Sequence, residues 1–162
     1  MKFKSFMTMT MVAVAFVFSV CACSSDDDEP QVAVAEQVVG SYEGNEIFVV
    51  DNEESSNETK TYQFAKATDA SVNMTIPEVG MGMMTIPSLS VRGIPLTKDG
   101  NTIKGRLASY EASLTGADGT EKVYTVSDLT VLFSDKKVVV AFSLKYGKMP
   151  FPFAGTFTGT KK

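Results

Sequence analysis

Residues 138–147, VVVAFSLKYG, alternate without a break. Val138, Val140, Phe142, Leu144 and Tyr146 fall on one side, and Val139, Ala141, Ser143 and Lys145 on the other. Successive side chains of a strand point to opposite faces, so this register describes a half-buried antiparallel strand. The stretch before it, EKVYTVSDLTVLF at 121–133, puts Leu129, Val131 and Phe133 on one parity, and SDKK at 134–137 turns the chain between the two.

Further runs of this kind lie upstream, separated by turn residues. VVGSYEGNEIFVV (38–50) has Tyr42, Phe48 and Val50 on one parity, and TKTYQFAKA (59–67) has Tyr62 and Phe64. SVNMTIP (71–77) aligns Val72, Met74 and Ile76. MGMMTIPSLSV (81–91) reads as another strand, weakened by Gly82 and by Pro87, which suits an edge or a bulge. KDGN (98–101) is an Asp-Gly hairpin turn, TIKGRLASYEASL (102–114) follows with Gly105 as a candidate bulge, and GADG (116–119) is the next turn. DNEESSNE (51–58) reads as a solvated polar loop. The closing MPFPFAGTFTGTKK aligns Phe151, Phe153 and Phe157 with Gly155 and Gly159.

No stretch after residue 22 keeps a helical period. The expected fold is therefore all-β, a small antiparallel up-and-down barrel of about eight strands. GSYEG (40–44) and GTFTG (155–159) echo one another, as first and last strands would if they paired to close a barrel. Glycine beside an aromatic lets a strand bend while the ring covers it.

Missing residue types narrow the chemistry. The chain has no histidine, no tryptophan, and no cysteine beyond Cys23. A disulfide framework, a Cys/His zinc site and the Ser-His or Cys-His nucleophile pairs are excluded. Glu43, Glu46 and Glu111 are carboxylates a glycosidase could use, but nothing in the sequence pairs them. Asp51, Glu53, Glu54 and Glu58 lack calcium-loop spacing. We therefore expect no enzyme, no cofactor and no metal.

The N-terminus reads as an address. Lys2 and Lys4 precede an apolar run from Met11 to Val20, too short to span a membrane and built like a secretory signal. Removal of residues 1–22 leaves 140 residues with 13 basic and 19 acidic side chains, a net charge of −6. Four of the acids lie in the SSDDDE run at 24–29, which reads as a solvated tether. The remainder is near neutral with no basic patch, so nucleic acid is not an expected partner.

Val20-Cys21-Ala22-Cys23 resembles the lipobox of bacterial lipoproteins, with Cys23 in the lipidated place after the small Ala22. The resemblance implies cleavage before Cys23, acylation of its thiol and amine, and a stable bilayer anchor. Acidic residues just after such a cysteine resemble the surface-export signal of Bacteroidota lipoproteins, which implies an outer-membrane lipoprotein displayed at the cell surface or facing the periplasm. With GSYEG at the start and KYGKMPFPFAGTFTGTKK at the end, the mature chain resembles the calycin-like β-barrel lipoproteins of Bacteroidota. Gly40-Ser41-Tyr42 is similar to the Gly-x-Trp of the first lipocalin strand, with tyrosine in place of tryptophan. The expected organisation is a signal at 1–22, a lipidated acidic tether at 23–37 and a calycin-like barrel at 38–162.

Two readings of function follow. In the first, the barrel holds a small apolar or amphipathic ligand. Met74, Met83 and Met84 are candidate contacts because methionine adapts to irregular apolar surfaces, and so are the aromatics Tyr146, Phe151 and Phe153. The same residues serve equally as core. In the second, the domain is an accessory of a cell-surface protein complex. An internal pocket of about 300 Å³ or more favours the first, and an exposed apolar patch the second.

Overall fold

The computed structural model of the protein describes residues 32–162 apart from 82–83, 116–118, 148 and 150. The expected signal, Cys23 and the acidic run lie outside these residues. Among the described residues, ten strands follow a five-residue helix, α1 (Val34–Val38). They are β1 (Gly40–Val50), β2 (Glu53–Thr68), β3 (Ser71–Ile76), β4 (Val79–Met81), β5 (Met84–Ile86), β6 (Leu89–Asp99), β7 (Thr102–Thr115), β8 (Glu121–Ser134), β9 (Lys137–Tyr146) and β10 (Phe153–Lys161). Eight of them form a closed antiparallel barrel in the order β1-β10-β9-β8-β7-β6-β3-β2, and β4 and β5 form a separate hairpin.

Turn chemistry sets this meander. Asp51 and Asn52 both have positive φ, 49° and 66°, the backbone of a two-residue hairpin matched to strand twist. The chain reverses at once, so the expected polar loop at 51–58 is a loop only at those two residues. Glu53–Glu58 already pairs with β1, from Val50↔Glu53 to Glu46↔Glu58. Polar side chains do not prevent a ladder when they reach solvent. Gly100 and Asp135, with φ of 59° and 53°, turn β6 into β7 and β8 into β9.

Two further expectations are corrected. Residues 81–91 are not one strand: they comprise the end of β4, β5 and the start of β6, with Pro87 in the connection before Leu89. Gly105 is not a bulge, since it pairs regularly with Leu96 and Val131. A Cβ there would lie 3.0 Å from the Ile94 side chain and 3.1 Å from that of Leu96, so its small size admits two core side chains.

The glycine echo is explained by closure. Gly44 pairs with Gly159 and Phe48 with Gly155 across the β1–β10 seam. A Cβ on Gly44 would run into the Thr158 carbonyl oxygen and the Gly159 Cα. The Phe142 ring covers Gly155 and the Phe157 ring covers Gly159, each 2.5–2.6 Å from where a Cβ would sit.

Inward-facing residues fill the barrel. Tyr42, Phe64 and Phe133 meet with ring centroids 4.9–5.7 Å apart, and Tyr62 stacks on Phe157 at 4.0 Å. Such pairs add about 0.5–1.5 kcal/mol each beyond their burial. The helix lies in the stretch expected as the end of the tether, yet Ala35 and Val38 are buried. It closes the barrel end that carries the β2–β3 turn: Ala35 N–H donates to the Asp69 carbonyl (3.1 Å), and the Tyr42 hydroxyl donates to the Val38 carbonyl (2.9 Å).

Candidate functional site

The wall is interrupted on one side. β6 and β7 pair over four residues only, from Asp99↔Thr102 to Leu96↔Gly105. The Leu96 amide donates to the Ala70 carbonyl on the β3 side (2.8 Å). Amides alternate in direction along a strand, so the next nitrogen, that of Pro95, faces β7 and carries no hydrogen. The ladder stops there. Gly93, with φ +68°, then takes β6 along β3 through a register shift.

Beyond this point a cleft of about 430 Å³ opens at the barrel end opposite α1, lined by Thr85, Pro87, Ser88, Leu114, Thr115, Lys122 and Tyr124. Its size falls within the range of small-molecule sites. β8 supplies the aromatic floor. A bulge at Asp128 (φ 53°) shifts the β8–β9 register and brings Tyr124 opposite Tyr146. The two rings stack at 5.0 Å, and the Lys122 ammonium stands 5.7 Å from the centre of the Tyr146 ring. Burial raises the pKa of Tyr124, so its hydroxyl stays neutral and can donate a hydrogen bond. A smaller space of about 220 Å³ lies at the α1 end, lined by Gln37, Lys98, Asn101, Ile103, Phe133 and Asp135.

The barrel also holds an acid. Glu46 shares the inward parity of Tyr42 and Phe48 and has no exposed surface. Its Oε2 accepts a hydrogen bond from the Tyr62 hydroxyl at 2.5 Å, while its Oε1 has no partner among the described residues. Burial pushes the carboxyl above the ordinary range, against the hydrogen bond and the Lys60 charge, which favour ionisation, while Glu58 adds to the rise. Lys60 is occupied elsewhere, pairing with Glu58 (2.6 Å) and donating to the Glu78 carbonyl (3.0 Å). Ser56, also inward, has a buried Oγ without a partner among the described residues.

The residues singled out from sequence fall in different places. Met74 and Phe153 are buried in the core, 0% and 3% exposed. Tyr146 is half-buried beside the cleft, whereas Phe151 is 54% exposed ahead of β10. Met84 opens β5 and Met83 lies outside the described residues. Tyr146, Met74, Phe151 and Phe153 are all absent from the cleft lining, and Tyr146 alone of them stacks on the lining residue Tyr124. Tyr124, Leu114 and Lys122 were missed because the bulge at Asp128 changes which parity faces inward. The three carboxylates are not paired: Glu43 faces outward and bonds Lys162, Glu46 is inside the wall, and Glu111 is exposed on β7. Among the described residues no cluster of acids could hold a metal ion.

The family model of the calycin-like beta-barrel domain matches residues 38–160. The chain belongs to the calycin-like β-barrel family. Among solved structures this calycin-like chain is similar to a Bacteroides fragilis protein provisionally named an outer membrane protein, with a TM-score of 0.62 and 20% identity. The match covers 80% of this chain and 53% of that one, so the chain spans about half of that protein's length. At this identity the likeness shows the shared barrel. No functionally curated protein matches the chain.

Proposed function

We propose that this calycin-like barrel is a non-enzymatic binding module, tethered to the outer membrane through an acylated Cys23 and holding a small amphipathic molecule in the cleft where β6 and β7 part. The cleft itself carries the reading: about 430 Å³ of space, an apolar floor of Leu114 and Tyr124, and a polar rim of Thr115, Ser88 and Lys122. That mixture suits an apolar or aromatic body with one polar end. The outward face of β9 and β10 carries Thr156, Thr158, Thr160, Lys137 and Lys145, with Val139 exposed beside its neighbour Leu132 on β8, a mixture unlike the continuous apolar band of a lipid-embedded barrel. In this reading the N-terminal lipid supplies the membrane attachment.

The anionic dye 8-anilinonaphthalene-1-sulfonate should bind with enhanced fluorescence, and Leu114→Glu, at a half-buried position, should weaken it by about tenfold or more. Unchanged dye affinity in a folded Leu114→Glu variant would remove the cleft as the site. Native mass spectrometry of protein drawn from its own membrane then gives the ligand mass.

A further inference from the structure

Leu114 and Thr115, the β7 wall of the cleft, end a stretch of backbone that has no partner strand on its β6 side among the described residues, and that limits what can fill the cleft. From Arg106 to Thr115, β7 pairs with β8 alone among the described residues. The inward side chains Leu107, Tyr110, Ala112 and Leu114 are half-buried, while Glu111 and Ser113 face outward. Amide direction follows side-chain direction along a strand. Leu96 and Gly105 form a pair whose amides point away from each other, so outward residues of β7 such as Lys104 and Arg106 turn their N–H and C=O toward β6 and the gap; the inward parity changes between Leu107 and Tyr110, opposite the bulge at Asp128, and beyond it the outward residues are Glu111 and Ser113. The N–H and C=O of Glu111 and Ser113 therefore line it. Natural sheet edges are usually blunted by proline, lysine or a covering element, and this stretch of β7 contains no proline or lysine.

An alkyl chain in the gap would cover these polar groups without bonding them, at a cost of about 1–3 kcal/mol for each buried group. A peptide backbone bonds them in register, and its alternate side chains enter the space before Tyr110, Ala112 and Leu114. Charge argues for the sequence of such a peptide. Arg106 on β7 and Arg92 on β6 stand exposed on the two lips, and neither has an ion pair among the described residues, while Glu111 lies further along the same edge. A carboxylate near the two arginines and a cation near Glu111 complement this edge.

We propose that the amphipathic molecule held by the cleft is a short extended peptide that adds as a strand to the free edge of β7, with an acidic side chain against Arg106. This rests on the cleft being a binding site, which the dye tests by itself. The probe is a capped octapeptide alternating valine with polar residues, with aspartate placed to meet Arg106. It should displace the dye and slow amide hydrogen exchange at Glu111 and Ser113 by about tenfold or more. The same peptide N-methylated at the amides that face β7 should do neither. Arg106→Glu should weaken the peptide and leave the dye unaffected. Equal binding of the methylated peptide, or dye binding with no response to either peptide, would overturn the strand and leave the cleft. Absence of dye binding to the wild-type protein would overturn both.

Discussion

Replacing Glu46 by glutamine tests the buried acid directly. Glutamine keeps the size and the bond to Tyr62 but cannot ionise. Among the described residues the Glu46 carboxyl has one hydrogen bond, from Tyr62 at 2.5 Å, and its buried Oε1 has no partner. Burial raises its folded pKa above the ordinary 4.5. The fold thus favours the protonated acid. Its contribution is complete below pH 4.5 and is lost as pH rises from there through the folded pKa, because the unfolded chain ionises freely and the buried group does not. Each unit of displacement corresponds to about 1.4 kcal/mol. At pH 4 the Glu46→Gln variant should be less stable by about 1–3 kcal/mol, the cost of an amide N–H₂ without a partner. As pH rises toward 8 the two proteins should converge and then cross, the difference changing by up to about 1.4 kcal/mol per pH unit within the titration window. Urea unfolding from pH 4 to 8, followed by circular dichroism, measures both curves, and the other carboxylates cancel in the difference. Parallel curves across that range would refute the assignment of a raised pKa to this site.

The barrel seam and the anchor give two further expectations. Gly44→Ala pushes a methyl into the Thr158 carbonyl and the Gly159 backbone, which cannot yield without opening the β1–β10 ladder, whereas Gly155→Ala meets the Phe142 ring, which can turn. By thermal unfolding, Gly44→Ala should lose about 3 kcal/mol or more and Gly155→Ala about 1 kcal/mol, and equal losses would contradict the seam. Cys23→Ala should move the protein from the membrane fraction to the soluble fraction of its host, and continued sedimentation with membranes would remove the lipid anchor from the proposal.

Much of the barrel is legible in the chain because strand alternation is local. Val138–Tyr146 and the Tyr62/Phe64 run need only their own period to declare an inward face, and Asp-Gly at 99–100 needs only its backbone preference to declare a turn. The glycine echo was readable for the same reason: Gly44 and Gly159 mark where two backbones touch. Even Glu46 had a signal, an acid at the inward parity of Tyr42 and Phe48. Three features lay beyond local reading. The bulge at Asp128 reverses the inward parity of β8 and so decides that Tyr124 faces the cleft. Pro95 ends the β6–β7 ladder only because its nitrogen points at β7 and not at β3. The Ala35 and Val38 side chains become core only because the turn at Asp69 offers a carbonyl to α1. The sequence by itself determined strand period, the glycine echo and the absence of histidine and of thiols beyond Cys23, all properties of a residue and its near neighbours. Tertiary structure alone decided where the wall opens, because an opening is set by the relation between strands, and hydrogen-bond direction across a sheet is not written in the order of either strand.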